Sequence, residues 1–142
     1  VKKLNVWCKV SAELEPYLNP LVTRYLQRAL RVEAGRNRVV FIMPHGYVIK
    51  LPRTLDGFGD NDWEGSVSNG PGQSLEAIQY PKTKLHYWKE IPILFMEYVE
   101  WATNKDIEAR LGKEPNWVGF VDCGQVGFTS TGRLVAFDYG PN

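Results

Sequence analysis

The spacing of apolar residues changes period several times along the chain, and each change marks an element. Residues 4–10, LNVWCKV, alternate and predict a short strand. Next, Leu21, Val22, Tyr25, Leu26, Ala29 and Leu30 recur at intervals of three and four, while Arg24, Gln27, Arg28 and Arg31 fill the opposite side. With Asn19 as N-cap and Pro20 at the first helical position, this predicts an amphipathic helix ending near Gly35. Beyond Gly35 the strand-forming runs Arg38–Met43 and Tyr47–Leu51 flank the turn Pro44-His45-Gly46 and predict a hairpin. Asp60, Asn61 and Asp62 are N-cap candidates for a helical stretch carrying Glu64, which Gly65 and the run Ser68-Asn69-Gly70-Pro71-Gly72 should cut short. A short helix at Gln73–Gln79, an extended Lys84–Lys89 and a buried strand over the apolar run Ile91–Val99 come next. Asn104–Leu111 reads as a helix with Asp106 and Glu108 in its first turn. Gln125–Thr129 and Leu134–Phe137, joined by Ser130-Thr131-Gly132-Arg133, form a second hairpin. The sum is an α+β fold, an antiparallel sheet with flanking helices.

Composition narrows this little. A chain of 142 residues fits one domain, able to bury roughly two thirds of the surface its unfolded form exposes. Hydrophobic content of 44% and five Trp argue for an ordered core. A net charge of +1 gives no reason to make nucleic acid or a membrane the main partner. Without an apolar run of membrane-spanning length or a signal-peptide pattern, a cytoplasmic protein is expected. Cys8 and Cys123 are far apart and lack C-x-x-C spacing, so both read as reduced core thiols. His45 and His86 have no metal-ligand spacing.

The candidate chemistry lies in the second hairpin. It begins just after Asp122 and ends on Asp138, so its two strands should bring these carboxylates together beside the Gln125 amide, a set of oxygens suited to Mg²⁺. An ordinary hairpin capped by an Asp-Tyr-Gly turn would read the same way. The segment resembles the metal-binding hairpin of the protein-kinase-like superfamily. Gln125 stands where that family has Asn, Gly132 falls at the turn, and Asp138-Tyr139-Gly140 coincides with D-F-G. The family's catalytic Asp would fall on Phe120. Either the loop is shortened and Asp122 is the base, or the base is lost and Asp122 is a turn residue.

The resemblance extends over residues 35–140, leaving 1–34 as an N-terminal helical segment. Val48-Ile49-Lys50 resembles the strand whose Lys orients phosphates, and Glu64, fourteen residues on, resembles its helical partner. Pro92 to Val99 resembles the strand leading to the hinge. The family pattern implies that backbone groups of Glu97 and Val99 bond adenine, with Met96 behind it. Gly35 alone stands for the phosphate-covering glycines, and Arg36 and Arg38, read as exposed arginines, could supply charge instead. Gln125 and Asp138 would hold Mg²⁺. The sequence ends two residues after Gly140, so neither an activation segment nor large-lobe helices are expected, and in this the chain is similar to small kinase-like proteins of bacterial viruses. The resemblance implies a binding or regulatory module directed at a host or partner protein, in the host cytoplasm if viral. A minimal phosphotransferase using ATP and Mg²⁺, with Lys50, Glu64 and Asp122 as its catalytic set, is the alternative. An α+β interaction protein with no nucleotide site is the third.

Overall fold

The computed structural model describes residues 9–68, 77–121 and 125–137. In chain order the elements are α1 (Glu15–Arg28), β1 (Arg31–Ala34), β2 (Arg38–Met43), β3 (Tyr47–Pro52), α2 (Asp56–Ser68), β4 (Thr83–Trp88), β5 (Ile91–Glu97), β6 (Val99–Trp101), α3 (Asn104–Leu111), a 3₁₀ turn at Asn116–Phe120, β7 (Val126–Thr129) and β8 (Leu134–Ala136). They build an α+β fold with two antiparallel sheets, one ordered β1-β2-β3-β5-β4 and the other β6-β7-β8.

Alternation along the central strands divides the larger sheet into two buried faces. Val39, Phe41, Met43, Ile49, Leu51 and Ile93 pack under α1. Val40, Ile42, Val48 and Met96 point the other way, toward Val99, Val135 and Phe137 of the smaller sheet's side. A third cluster, including Ile107, Trp117, Val126 and Phe128, lies beneath α3. Burial on both faces explains why β2 and β3 read as nearly continuous apolar runs. No helix among the described residues is long and apolar enough to cross a membrane.

The first helix departs from expectation at both ends. It starts at Glu15, with Pro16 in its first turn and Pro20 inside it, because buried Leu14 and Leu18 carry the apolar stripe back toward the N-terminus. Pro20 is exposed there. The helix stops at Arg28. Ala29 is extended, the Leu30 N–H donates to the Ile42 carbonyl at 2.8 Å, and Arg31–Ala34 joins the sheet as an edge strand.

The second helix is longer than expected, because two of its glycines are points of contact and not breaks. A Cβ at Gly57 would lie 2.3 Å from the Asn37 carbonyl oxygen, so only glycine lets α2 press onto the β2–β3 end of the sheet. At Gly65 a Cβ would meet Leu85 and Leu94. Between these glycines, Asn61 is wholly buried and its side-chain amide donates to the Lys50 carbonyl at 3.0 Å and the Pro92 carbonyl at 2.9 Å.

The apolar run expected as one strand is broken at Tyr98, whose N–H donates to the Gly46 carbonyl at 2.9 Å, so β5 and β6 belong to different sheets. The side chain of Tyr98 also bonds the Arg31 guanidinium, which with Glu33 holds Arg31 above its usual value. The β4–β5 turn places Lys89 and Glu90 at φ of 49° and 68°. The third helix has the expected bounds. Thr103 caps it in a reciprocal box with Asp106, and Gly112 ends it at φ 82°. Residues 4–8 of the expected first strand lie outside the described residues, while Lys9 and Val10 are not in a strand. The helix expected at Gln73–Gln79 lies outside them up to residue 76, and residues 77–79 are not helical.

Candidate functional site

The site begins with strand register. Lys50 shares its face of β3 with Val48 and pairs with Val40 on one side and Leu94 on the other, so it points away from α1 and toward α2. It has no exposed surface. Glu64 lies on the side of α2 facing this strand, and the Lys50 Nζ donates to its Oε1 at 2.7 Å. Two residues fourteen apart in the chain, singled out as a pair by the resemblance, are therefore in contact.

Glu64 has a second cation. The Arg38 guanidinium donates to its Oε2, and also to the Asn61 Oδ1 at 3.3 Å. Arg38 is 5% exposed, which corrects its reading as an exposed arginine available to phosphates. The cause is register again: Arg38 follows the same alternation as Val40 and Ile42, so its side chain lies on the Lys50 face under α2. Arg36 is exposed. Arg38, read as exposed, and Asn61, read as an N-cap candidate ahead of Glu64, have places in this cluster that motif reasoning did not assign them. Period-two spacing from Val40 would have found the first, and the three-residue helical interval before Glu64 the second.

Beside the ion cluster is a cavity of about 260 Å³. Trp63 and Glu64 of α2, Met96 of β5, and Ile78, Tyr80 and Pro81 form one part of its wall. Phe120, Val121, Gln125, Ala136 and Phe137 form the rest. Trp63 is held edge-to-face against Tyr80, with ring centroids 6.4 Å apart. At the open end of the β7–β8 hairpin the Phe137 N–H donates to the Gln125 carbonyl at 2.9 Å, setting these two residues opposite each other.

Three of the candidate residues, Glu64, Met96 and Gln125, thus share one cavity. Asp122 and Asp138 lie outside the described residues, although their chain neighbours Val121 and Phe137 line the cavity. Gly35, Glu97 and Val99 are not in its lining. Gly35 sits in the β1–β2 connection, where its carbonyl accepts from Arg53 at 3.1 Å. The Glu97 N–H donates to the Lys82 carbonyl at 3.0 Å, and its carboxylate accepts from the Lys82 N–H at 2.6 Å and from Arg133 at 3.3 Å. Val99 is buried in the first pair of β6 with Thr129. Among the described residues no group of three His, Cys, Asp or Glu side chains is placed to hold a metal ion. Gln125 is among the lining residues, and an amide oxygen such as its side chain carries is a ligand type that Mg²⁺ accepts.

Comparison of the chain with protein-family models, curated proteins and solved structures finds no match.

Proposed function

We propose that the chain is a reduced kinase-like domain acting as a binding module, which holds a nucleotide through Lys50, with Mg²⁺ at Gln125 and Asp138, and addresses a protein partner. The observation that carries this reading is the Lys50–Glu64 contact at 2.7 Å. It joins a strand lysine to a helix glutamate ahead of an apolar strand and a hairpin, the order that the kinase-like resemblance calls for. A carboxylate so placed fixes the ammonium in position. Binding is favoured over transfer because the base position of the family falls on Phe120, an apolar side chain. The bacterial-virus origin and the host cytoplasm belong to this same reading.

The complete burial of Lys50 favours a second reading, in which the ion cluster only ties helix to sheet and no nucleotide binds. Thermal stability with and without ATP and Mg²⁺ separates the two, measured on the native chain, Lys50→Met and Asp138→Asn. A ligand at a hundred times its dissociation constant adds about 2.7 kcal/mol, a shift of several degrees in a domain of this size. The nucleotide reading expects that shift in the native chain and its loss in both variants. No shift at saturating ATP rules it out and leaves partner binding on a kinase-like scaffold. ATP hydrolysis or phosphate transfer by the native chain would overturn the preference for binding alone.

A further inference from the structure

The larger sheet ends in two edges of unlike character. Among the described residues β4 and β1 each have a strand neighbour on one side only, β5 and β2 respectively. A sheet edge is a template for any further strand, and proteins guard it with charge, above all lysine, or with proline. On β4, Lys84 and His86 are exposed. Arg31-Val32-Glu33-Ala34 of β1 has neither lysine nor proline, and the residue before it, Leu30, is 67% exposed. We propose that β1 pairs with β1 of a second copy of the chain, antiparallel and about a two-fold axis at Val32, so that the two large sheets become one. This inference does not rest on the nucleotide reading, since no residue of the cavity or of the Lys50 cluster is on β1.

Main-chain direction and charge select the same register. The Gly35 N–H donates to the Arg38 carbonyl at 2.9 Å, and bonding alternates along an antiparallel ladder, so Arg31 and Glu33 turn their N–H and C=O toward β2. Across each trans peptide the opposite group points outward, which gives the edge the N–H groups of Val32 and Ala34 and the carbonyls of Leu30 and Val32. With the axis at Val32, that residue exchanges both bonds with its mate, and each Ala34 N–H meets the Leu30 carbonyl of the other chain. The same register sets Arg31 directly across from Glu33 of the second copy, in the closer, non-hydrogen-bonded kind of pair. Within the chain Arg31 already holds Glu33 at 3.1 Å, with the side chains 55% and 32% exposed, so the charges alternate in sign around the axis. A two-residue slip loses the cross-chain ion pairs, and a one-residue slip opposes groups that face β2. A parallel in-register pairing sets like charges against each other. An edge that complements itself in this way fits a second copy better than an unrelated strand.

Sedimentation equilibrium of the whole chain without nucleotide, from about 1 μM to about 1 mM, tests the proposal. A reversible monomer–dimer equilibrium is expected. Arg31→Glu and Glu33→Arg each place like charges across the axis and should each weaken the dimer by about tenfold or more. An equimolar mixture of these two variants should associate as a heterodimer, because each chain then meets its opposite, and reversing both residues in one chain should restore the homodimer. Val32→Pro removes an outward N–H without touching the ladder to β2, so it should abolish association and keep the cooperative melting transition. A chain that stays monomeric throughout the range overturns the proposal, and if its Val32 and Ala34 amides also resist hydrogen exchange, the edge is covered from within the chain. A dimer that both charge reversals leave unchanged, or single variants that do not pair when mixed, overturns it as well, since another surface or register then holds the copies together.

Discussion

Replacing Glu64 by Gln removes one negative charge from a site where two positive groups meet it, and changes the shape of the side chain hardly at all. Lys50 is wholly buried, Arg38 is 5% exposed, and both donate to this carboxylate. In the variant each cation faces a neutral amide instead, and one of the two also meets the amide's own N–H groups. Removing one partner of a buried ion pair costs about 3–5 kcal/mol, several times the yield of an exposed pair. Against a total stability on the order of 5–15 kcal/mol, that is a large fraction. It corresponds to a fall in melting temperature of roughly 10–20 °C. Lys50→Met is the informative contrast, because Glu64 then keeps Arg38 and one buried cation disappears, so the loss should stay below about 2 kcal/mol. Urea denaturation with a constant m-value measures both. A loss of less than about 1 kcal/mol in Glu64→Gln, or equal losses in the two variants, would refute the claim that a shared buried carboxylate organises this cluster.

Three further perturbations test other parts of the fold. The β4–β5 turn holds Lys89 and Glu90 at positive φ, where Asn-Gly fits without strain, so Lys89→Asn with Glu90→Gly should stabilise by about 1–2 kcal/mol in urea denaturation; no gain would mean that the Lys89 contact with the Trp88 ring, at 5.6 Å, outweighs the relief. Within α2, Gly57→Ala should destabilise by about 1–3 kcal/mol because its Cβ meets the Asn37 carbonyl, whereas Gly59→Ala, with open space around it, should gain about 0.5–1 kcal/mol; equal effects would contradict the packing described for this helix. The Thr103 N–H and hydroxyl hold the Asp106 carboxyl below its ordinary value of 3.8. Because the folded value is the depressed one, the contribution to α3 is complete above the unfolded value and is lost as pH falls through the folded one. An NMR titration of Asp106 should show its midpoint below 3.8 in the native chain and returned toward it in Thr103→Ala, and an unshifted native midpoint would remove the capping box from the account.

Where local chemistry and tertiary packing agree, the elements were legible. The helix Asn104–Leu111 has its own cap, charge pattern and terminal glycine, and its bounds follow from those residues alone. The first hairpin was legible because Pro44-His45-Gly46 is flanked by strand-forming runs on both sides. Misreadings arose where a distant contact decides. Pro20 reads as a helix start until Leu14 and Leu18 are seen buried, and Gly65 reads as a breaker until Leu85 and Leu94 are seen against it. The break at Tyr98 depends on a bond to Gly46, more than fifty residues earlier, which no local pattern encodes. In the candidate site, the Lys50–Glu64 contact was legible through motif order and Arg38 was not, because an arginine at a strand end is ordinarily solvated. Only the register that turns it beneath α2 makes it part of the cluster.

Asn61 gives the α2 interface a property that apolar packing alone would not. Its one amide group serves two main-chain oxygens on different strands, Lys50 of β3 and Pro92 of β5. The pairing of those strands ends at Lys50 and Leu94, and Pro92 has no N–H of its own. A helix held only by leucines can creep along a sheet by fractions of an ångström, trading one van der Waals neighbour for another. Here any such displacement stretches two buried hydrogen bonds at once, so the position of α2 is a single notch and not a sliding scale. Motion of this helix should therefore occur as a discrete jump between registers, or not at all.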